Sequence, residues 1–216
     1  MRHFWQGRSK AALVHWAIGL VIVLAAAAIF IDIAGDVWLK EGFTWDAPVM
    51  LFAYGWRSPW LDSFMVLLTQ AGEAFVGIIV AVLAFCLWRQ GRLPEAILIM
   101  VSVIGGVLID FGLKALFARP RPNIIPPLVR PTTYSFPSGH TFAAVSLYGV
   151  MAVLFWRRQR YGWAVFSSLW IPAIAFSRIY LGAHYPSDVV GSITVGIVWV
   201  AVVLVVYGRL YPVHRL

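Results

Sequence analysis

The sequence predicts an all-α protein, a six-transmembrane-helix bundle of a polytopic integral membrane protein. Three observations carry that expectation. Hydrophobic residues make up 61% of the 216 positions and charged residues 12%, with a mean hydropathy of +0.82. A soluble globular domain is nearer half apolar and a quarter charged. The apolar residues also fall in long runs, of the length a helix needs to cross the hydrocarbon core, instead of short alternations. Finally, Trp38, Trp45, Trp56, Trp60, Trp88, Trp156 and Trp163 fall near the ends of those runs, as an interfacial aromatic belt requires.

The first span is expected over about residues 11–33. Its basic-then-apolar start, MRHFWQGRSKAALVHWAIGLVIVLAAAAIF, resembles a signal peptide superficially. The apolar run is too long for a signal-peptide core and no small-x-small cleavage site follows, so the segment reads as a retained span. Gly35 to Trp60 should lie along the outer interface as loop or short amphipathic helix. The second span, about 62–88, is the least regular, because Asp62, Gln70 and Glu73 interrupt its first half. It carries Cys86, the only cysteine, which excludes a disulfide framework and reads as a packing residue.

The third span is expected at 95–117. The connection after it, ARPRPNIIPPLVRPTTYSFP, holds six of the twelve prolines. Proline fixes the backbone and removes donors, so this is a stiff, charged surface, not a loose linker. Spans at about 139–156, 162–181 and 188–208 complete the bundle. No repeat or low-complexity segment divides the chain, which is expected to be one membrane-embedded domain over 1–216.

Lysine and arginine placement sets the expected orientation. With both termini cytoplasmic, the inner ends hold Arg2, Arg8, Lys10, Arg89, Arg92, Arg157, Arg158, Arg160, Arg209 and Arg215. The outer side holds Lys40, Arg57, Lys114, Arg119, Arg121, Arg130 and Arg178. Five of those seven lie between Lys114 and Arg178, so the net charge of +8 divides into an orientation signal and a local cationic site. A nucleic-acid partner is not needed to explain it, and no obligatory protein partner is expected.

The fourth span opens with Pro137-Ser138-Gly139-His140. Serine is a favoured N-cap, and glycine lets a ligand approach the backbone. The free amides of a helix start bind anions. Ser-Gly alone would also suit an ordinary capped span; His140 is harder to explain that way, because ionisable groups at membrane depth are costly. Around the same face gather Lys114 and Arg121 from the end of span three, then Arg178, His184 six residues later and Asp188 four after that. Each has a plain alternative, a snorkelling anchor or a helix cap. Their coincidence on one side does not.

The three blocks, K-x6-RP (Lys114 to Arg121-Pro122), PSGH (Pro137 to His140) and SR-x5-H-x3-D (Ser177-Arg178, His184, Asp188), resemble the three-part signature of the type-2 phosphatidic acid phosphatase superfamily. That group includes membrane lipid phosphatases and, more distantly, vanadium haloperoxidases. The resemblance implies His184 as nucleophile and Asp188 as the carboxylate that fixes its tautomer. It implies His140 as the acid that protonates the leaving oxygen and the base that then activates water. Lys114, Arg121, Arg178, Ser138 and Gly139 would hold the phosphoryl oxygens. No metal and no cofactor are implied. Asp110, four residues before Lys114, would face it on a helix, either placing the lysine or only neutralising it. Glu73 could border a hydrated cavity or reach for the interface.

The expected activity is hydrolysis of the terminal phosphate of a membrane lipid phosphate or pyrophosphate through a phosphohistidine, at the outer face of a cell membrane. Phosphatidylglycerol phosphate, phosphatidate and undecaprenyl pyrophosphate all offer such a group. A non-catalytic lipid-phosphate binder or translocator would use the cations but has no need of two histidines and Asp188. A vanadate-dependent peroxidase would use the same cage, but six spans argue against that soluble chemistry.

Overall fold

The structure, a computed structural model, describes the backbone of residues 2–211 and the side chains from Leu13 onward, His15 excepted. The side chains of Arg2, Arg8 and Lys10, and all of Arg215, lie outside the described residues. Eight helices follow in order, which we label α1 (Arg2–Trp38), α2 (Asp46–Tyr54), α3 (Pro59–Gln70), α4 (Ala74–Arg89), α5 (Leu93–Phe117), α6 (Gly139–Arg157), α7 (Tyr161–Tyr180) and α8 (Pro186–Leu210). Among the described residues, five helices are long and apolar enough to cross a membrane, and α3 and α4 make up to six if they form one bent span. The described residues contain no strand.

Sequence patterning accounts for these elements and for two departures. The first helix runs on to Trp38, because nothing breaks it before the turn at Leu39 and Lys40, where Lys40 takes a left-handed φ of +59°. The region after it holds α2, a short helix beside the site. The second expected span is two helices meeting at 43° across Ala71, Gly72 and Glu73. The polar residues that interrupt its pattern mark the break. Cys86 is exposed on the outside of α4 and does not pack in the core.

Helix α6 is the axis of the bundle, with α5, α7 and α8 packed around it. Ala144, Leu147 and Val150 along it are fully buried. Small residues let the backbones approach: a Cβ on Gly196 would lie 2.8 Å from Val145 Cγ1. In lipid, such packing and interhelical hydrogen bonds hold helices together, since exposing leucine or valine to acyl chains costs nothing. Residues 145–149 of α6 form one π-helical turn. The Ser102 hydroxyl donates to the Ser146 carbonyl there at 2.8 Å, and Trp199 Nε1 donates to the Ser102 carbonyl at 2.7 Å. These bonds tie α5 to α6 and α8 at a place where local irregularity frees backbone groups.

The proline-rich connection is fastened down. Arg57 Nη1 donates to the Pro126 carbonyl at 2.7 Å and its Nη2 to the Tyr180 carbonyl at 2.8 Å. Leu128 N donates to the Leu181 carbonyl at 2.9 Å. The ends of α5 and α7 and the starts of α6 and α8 therefore meet beneath a fixed cover.

Candidate active site

Helix α5 is capped by Ala118, whose left-handed φ of +45° turns the chain into the loop and leaves Lys114 one turn inside the helix. Lys114 Nζ donates to Asp110 Oδ1 and Oδ2 at 2.6 and 2.7 Å and to the Pro137 carbonyl at 2.8 Å. The expected pair is present, and it also holds the start of α6. A Cβ on Gly139 would fall 2.8 Å from Asp110 Oδ2 and 3.1 Å from Lys114 Nζ. Glycine leaves room there for the ion pair, beyond any approach of a ligand.

His184 lies in the short turn between α7 and α8 and is 2% exposed. Its Nδ1 is 2.8 Å from the Ser135 carbonyl. A carbonyl only accepts, so Nδ1 carries the proton and Nε2 keeps its lone pair. Nε2 faces the cavity and Arg121 Nη1 at 3.2 Å. Burial, reinforced by the charges of Arg178 and Arg121, pushes the imidazole down to about 3 against the opposing pull of Asp188. At neutral pH the ring is uncharged, with a free lone pair on Nε2.

Asp188 Oδ2 stands 3.5 Å from His184 Nδ1, farther than the Ser135 carbonyl. The orienting contact expected of Asp188 is thus shared with a backbone oxygen that the sequence did not single out. Asp188 is fully buried. It accepts from the Ser135 hydroxyl, from Tyr185 N at 2.9 Å and from Arg119 Nη1 at 2.5 Å. Arg119 also donates to Ser187 Oγ at 2.8 Å and Asp46 Oδ2 at 3.2 Å, and lies 4.2 Å over the Tyr185 ring. Asp46 holds Ser187 in turn, accepting its backbone N–H at 2.8 Å and its hydroxyl at 2.6 Å. Helix α2 therefore reaches the site through Asp46.

A cavity of about 400 Å³ is lined by Lys114, Arg121, Gly139, His140, Arg178 and His184, with an apolar wall from α4 and α5. Arg121 is clamped by the Thr133 carbonyl (2.7 Å), the Ala183 carbonyl (2.6 Å) and the Thr133 hydroxyl (3.1 Å). Arg178 is 2% exposed, donates from Nη1 to Thr69 Oγ1 at 2.8 Å, and has no partner for Nε. Among the described residues it makes no ion pair, although a buried unpaired cation is costly. Such a group calls for an anion. Glu73, at the break between α3 and α4, puts Oε2 2.8 Å from His140 Nε2. The two are close as charges but not aligned as a hydrogen bond.

Of the five residues expected to hold the phosphoryl oxygens, Ser138 is the one that does not line the cavity. It is fully buried; its amide donates to Ser192 Oγ at 2.5 Å, and its hydroxyl pairs with Thr141 Oγ1 at 3.0 Å. It stands at the N-cap position without capping the helix through its side chain. Conversely, Ser135, Thr133, Thr69 and Asp46 support the site without having been singled out, and Arg119, counted only as one of the outer cations, holds Asp188. Among the described residues, no group of three or more His, Cys, Asp or Glu is gathered as a metal centre would need.

Comparison with known proteins shows the family and the fold. The PAP2 superfamily pattern matches residues 95–212, more than half of the chain. Undecaprenyl-diphosphatase BcrC of Bacillus subtilis (strain 168) is 33% identical over 148 residues, 64% of this chain and 70% of that protein. Phosphatidylglycerophosphatase B of the same organism is 26% identical over 148 residues, 65% of this chain and 72% of its own length. The crystal structure of a transmembrane PAP2-type phosphatidylglycerolphosphate phosphatase from Bacillus subtilis superposes with a TM-score of 0.79 at 21% identity, over 89% of this chain and 98% of that one. At that identity the likeness speaks for the fold.

Proposed function

The chain belongs to the PAP2 superfamily, and from that premise we propose that it removes a terminal phosphoryl group from a membrane lipid through a phosphohistidine formed on His184. The observation that carries this reading is Arg178, a buried guanidinium with an orphaned Nε, beside a histidine whose unprotonated Nε2 faces the same cavity. A binder or translocator needs the cation but not the prepared lone pair.

His184 Nε2 attacks phosphorus, forming a P–N bond as the P–O bond to the lipid breaks. His140 gives its proton to the departing oxygen. Water then attacks the phosphohistidine, His140 takes a proton from it, the P–N bond breaks, and phosphate leaves. Lys114, Arg121 and Arg178 hold the phosphoryl oxygens where negative charge grows, as fixed donors that need no reorganisation. Arg121 covers Nε2 at 3.2 Å and must pass its donor to the incoming phosphate. Ser138 contributes by fixing the start of α6, since its own polar atoms are occupied.

These side chains supply the positive charge that phosphoryl transfer requires, so we infer a metal-independent reaction in one membrane-embedded unit facing the cell exterior or periplasm. The relatives' names suggest phosphatidylglycerol phosphate and undecaprenyl diphosphate as substrates. Phosphate release from these two lipids and phosphatidate, in detergent micelles with excess chelator, tests the reading. The wild type should release phosphate regardless of chelator, and His184→Ala should fold but not turn over. The wild type should also carry an acid-labile, base-stable phosphate label. Loss of activity with chelator and its return with magnesium would exclude the metal-free mechanism; normal turnover by His184→Ala would exclude the nucleophile.

A further inference from the structure

We infer that Glu73 selects for the charge of the leaving group, making this site one for phosphomonoesters of neutral lipid alcohols in preference to lipid diphosphates. The inference rests on the phosphatase reading and deepens it.

Two carboxylates line the cavity, and they are not equivalent. Asp110 is neutralised by Lys114 at 2.6 Å. Glu73 has one ionic contact among the described residues, His140 Nε2 at 2.8 Å, and its side chain is 63% exposed. It stands at the break before α4, and Val76 and Gly77 follow it by three and four residues at the start of that helix. Those two line the apolar wall with Val103, Val107 and Phe111 of α5. The carboxylate thus stands beside His140 at the start of α4, three and four residues before the part of the apolar wall that this helix supplies.

In its general-acid role His140 is the imidazolium, and the proton it gives up is the one on Nε2, 2.8 Å from Glu73 Oε2. To receive that proton the leaving oxygen must come within about 2.6–3.2 Å of Nε2. That brings it against Glu73. When a monoester is cleaved, the P–O bond breaks, the proton moves from Nε2 to the oxygen, and a neutral alcohol departs. When a diphosphate is cleaved in the same way, the departing oxygen belongs to a second phosphate, which carries negative charge one bond away. That charge would lie about 4–5 Å from Glu73, where like charges in a partly dry site cost on the order of ten- to a thousandfold in rate. Lys114, Arg121 and Arg178 do not cancel the effect, because they serve the transferred group equally in both substrates.

A pair of substrates with the same tail isolates this difference. Farnesyl monophosphate and farnesyl diphosphate are compared in micelles by the rate of the first phosphate released. The wild type should favour the monophosphate in kcat/KM. Glu73→Gln should move the ratio at least tenfold toward the diphosphate, Glu73→Ala should do the same, and Glu73→Asp should retain the preference. An unchanged ratio in Glu73→Gln, or a wild-type preference for the diphosphate, overturns the inference and leaves the phosphatase reading standing. Phosphate release from neither of these, nor from the phosphatidylglycerol phosphate, undecaprenyl diphosphate and phosphatidate named above, overturns the phosphatase reading. The affinities of farnesyl phosphonate and its methylenediphosphonate counterpart for wild type and Glu73→Gln then decide the role of Glu73. A tenfold relative gain for the diphosphonate in the variant supports the inference, and its absence refutes it.

Discussion

Arg119 does not line the cavity that holds Lys114, Arg121 and Arg178, yet its guanidinium links Asp188 to Ser187 and to Asp46 of α2. Its bonds to Asp188, Ser187 and Asp46 use the planar fork of donors that lysine lacks. It should therefore act on the chemical step through the placement of Asp188, and not on substrate binding. Arg119→Lys is expected to lower kcat by about 10- to 100-fold while leaving KM within about twofold, as changes behind a functional group do. A raised KM with unchanged kcat would instead make Arg119 a substrate ligand. The sequence held little warning of this role. Arg119 and Arg121 stand in the same R-P-R-P run with the same chemistry, and what separates them is that one meets Asp46, 73 residues away. Lys114, His140, Arg178, His184 and Asp188 were legible because their spacing forms a pattern along the chain. The Ser135 carbonyl against His184 was not, because a backbone acceptor leaves no mark in residue types.

At the scale of elements, the break between α3 and α4 shows which signals in a span can be read. Asp62, Gln70 and Glu73 disturb the apolar pattern, so the irregularity was visible, but a hydropathy run does not distinguish a polar interruption from a bend. The break also makes a close contact that only the fold provides. Gly72 is buried at the break, and a Cβ there would lie 2.7 Å from Ile174 Cγ2, 3.0 Å from the His140 carbonyl and 3.3 Å from His140 Cβ. Ile174 is fully buried and cannot yield easily. Gly72→Ala should therefore push the break away from His140, destabilising the protein by about 1–3 kcal/mol, as overpacking does, and lowering turnover. Gly112→Ala, where nothing lies within 4 Å of the added Cβ, is the control and should melt within about 0.5 kcal/mol of wild type. Equal melting and turnover in both variants would show that this contact does not place His140.

Over the whole molecule, the site gathers at the ends of α5 and α7 and the starts of α6 and α8, so every signature residue lies at one end of the bundle. The opposite helix ends carry Arg89, Arg92, Arg157, Arg158 and Arg160. Two of these, Arg92 and Arg158, converge on the buried Glu95, which leaves that cluster positive. Trp88, Trp156 and Trp163 are exposed near the same level, and Trp38, Trp56 and Trp60 are exposed toward the other. Positive residues flanking spans remain in the cytoplasm, and the cations at the outer end are largely committed to the site: Lys114 to Asp110, Arg119 to Asp188, Arg121 to the loop over His184. The orientation expected from this division puts phosphate release outside the cytoplasm. Single cysteines at Thr132 and Gln159, both exposed and at opposite ends, test it. The test needs a Cys86→Ala background, because Cys86 is itself exposed and would react. An impermeant thiol reagent added to intact cells should label the cysteine at 132 and spare the one at 159 until the membrane is opened. The reverse pattern would turn the bundle over and leave the enzyme acting on lipids of the inner leaflet.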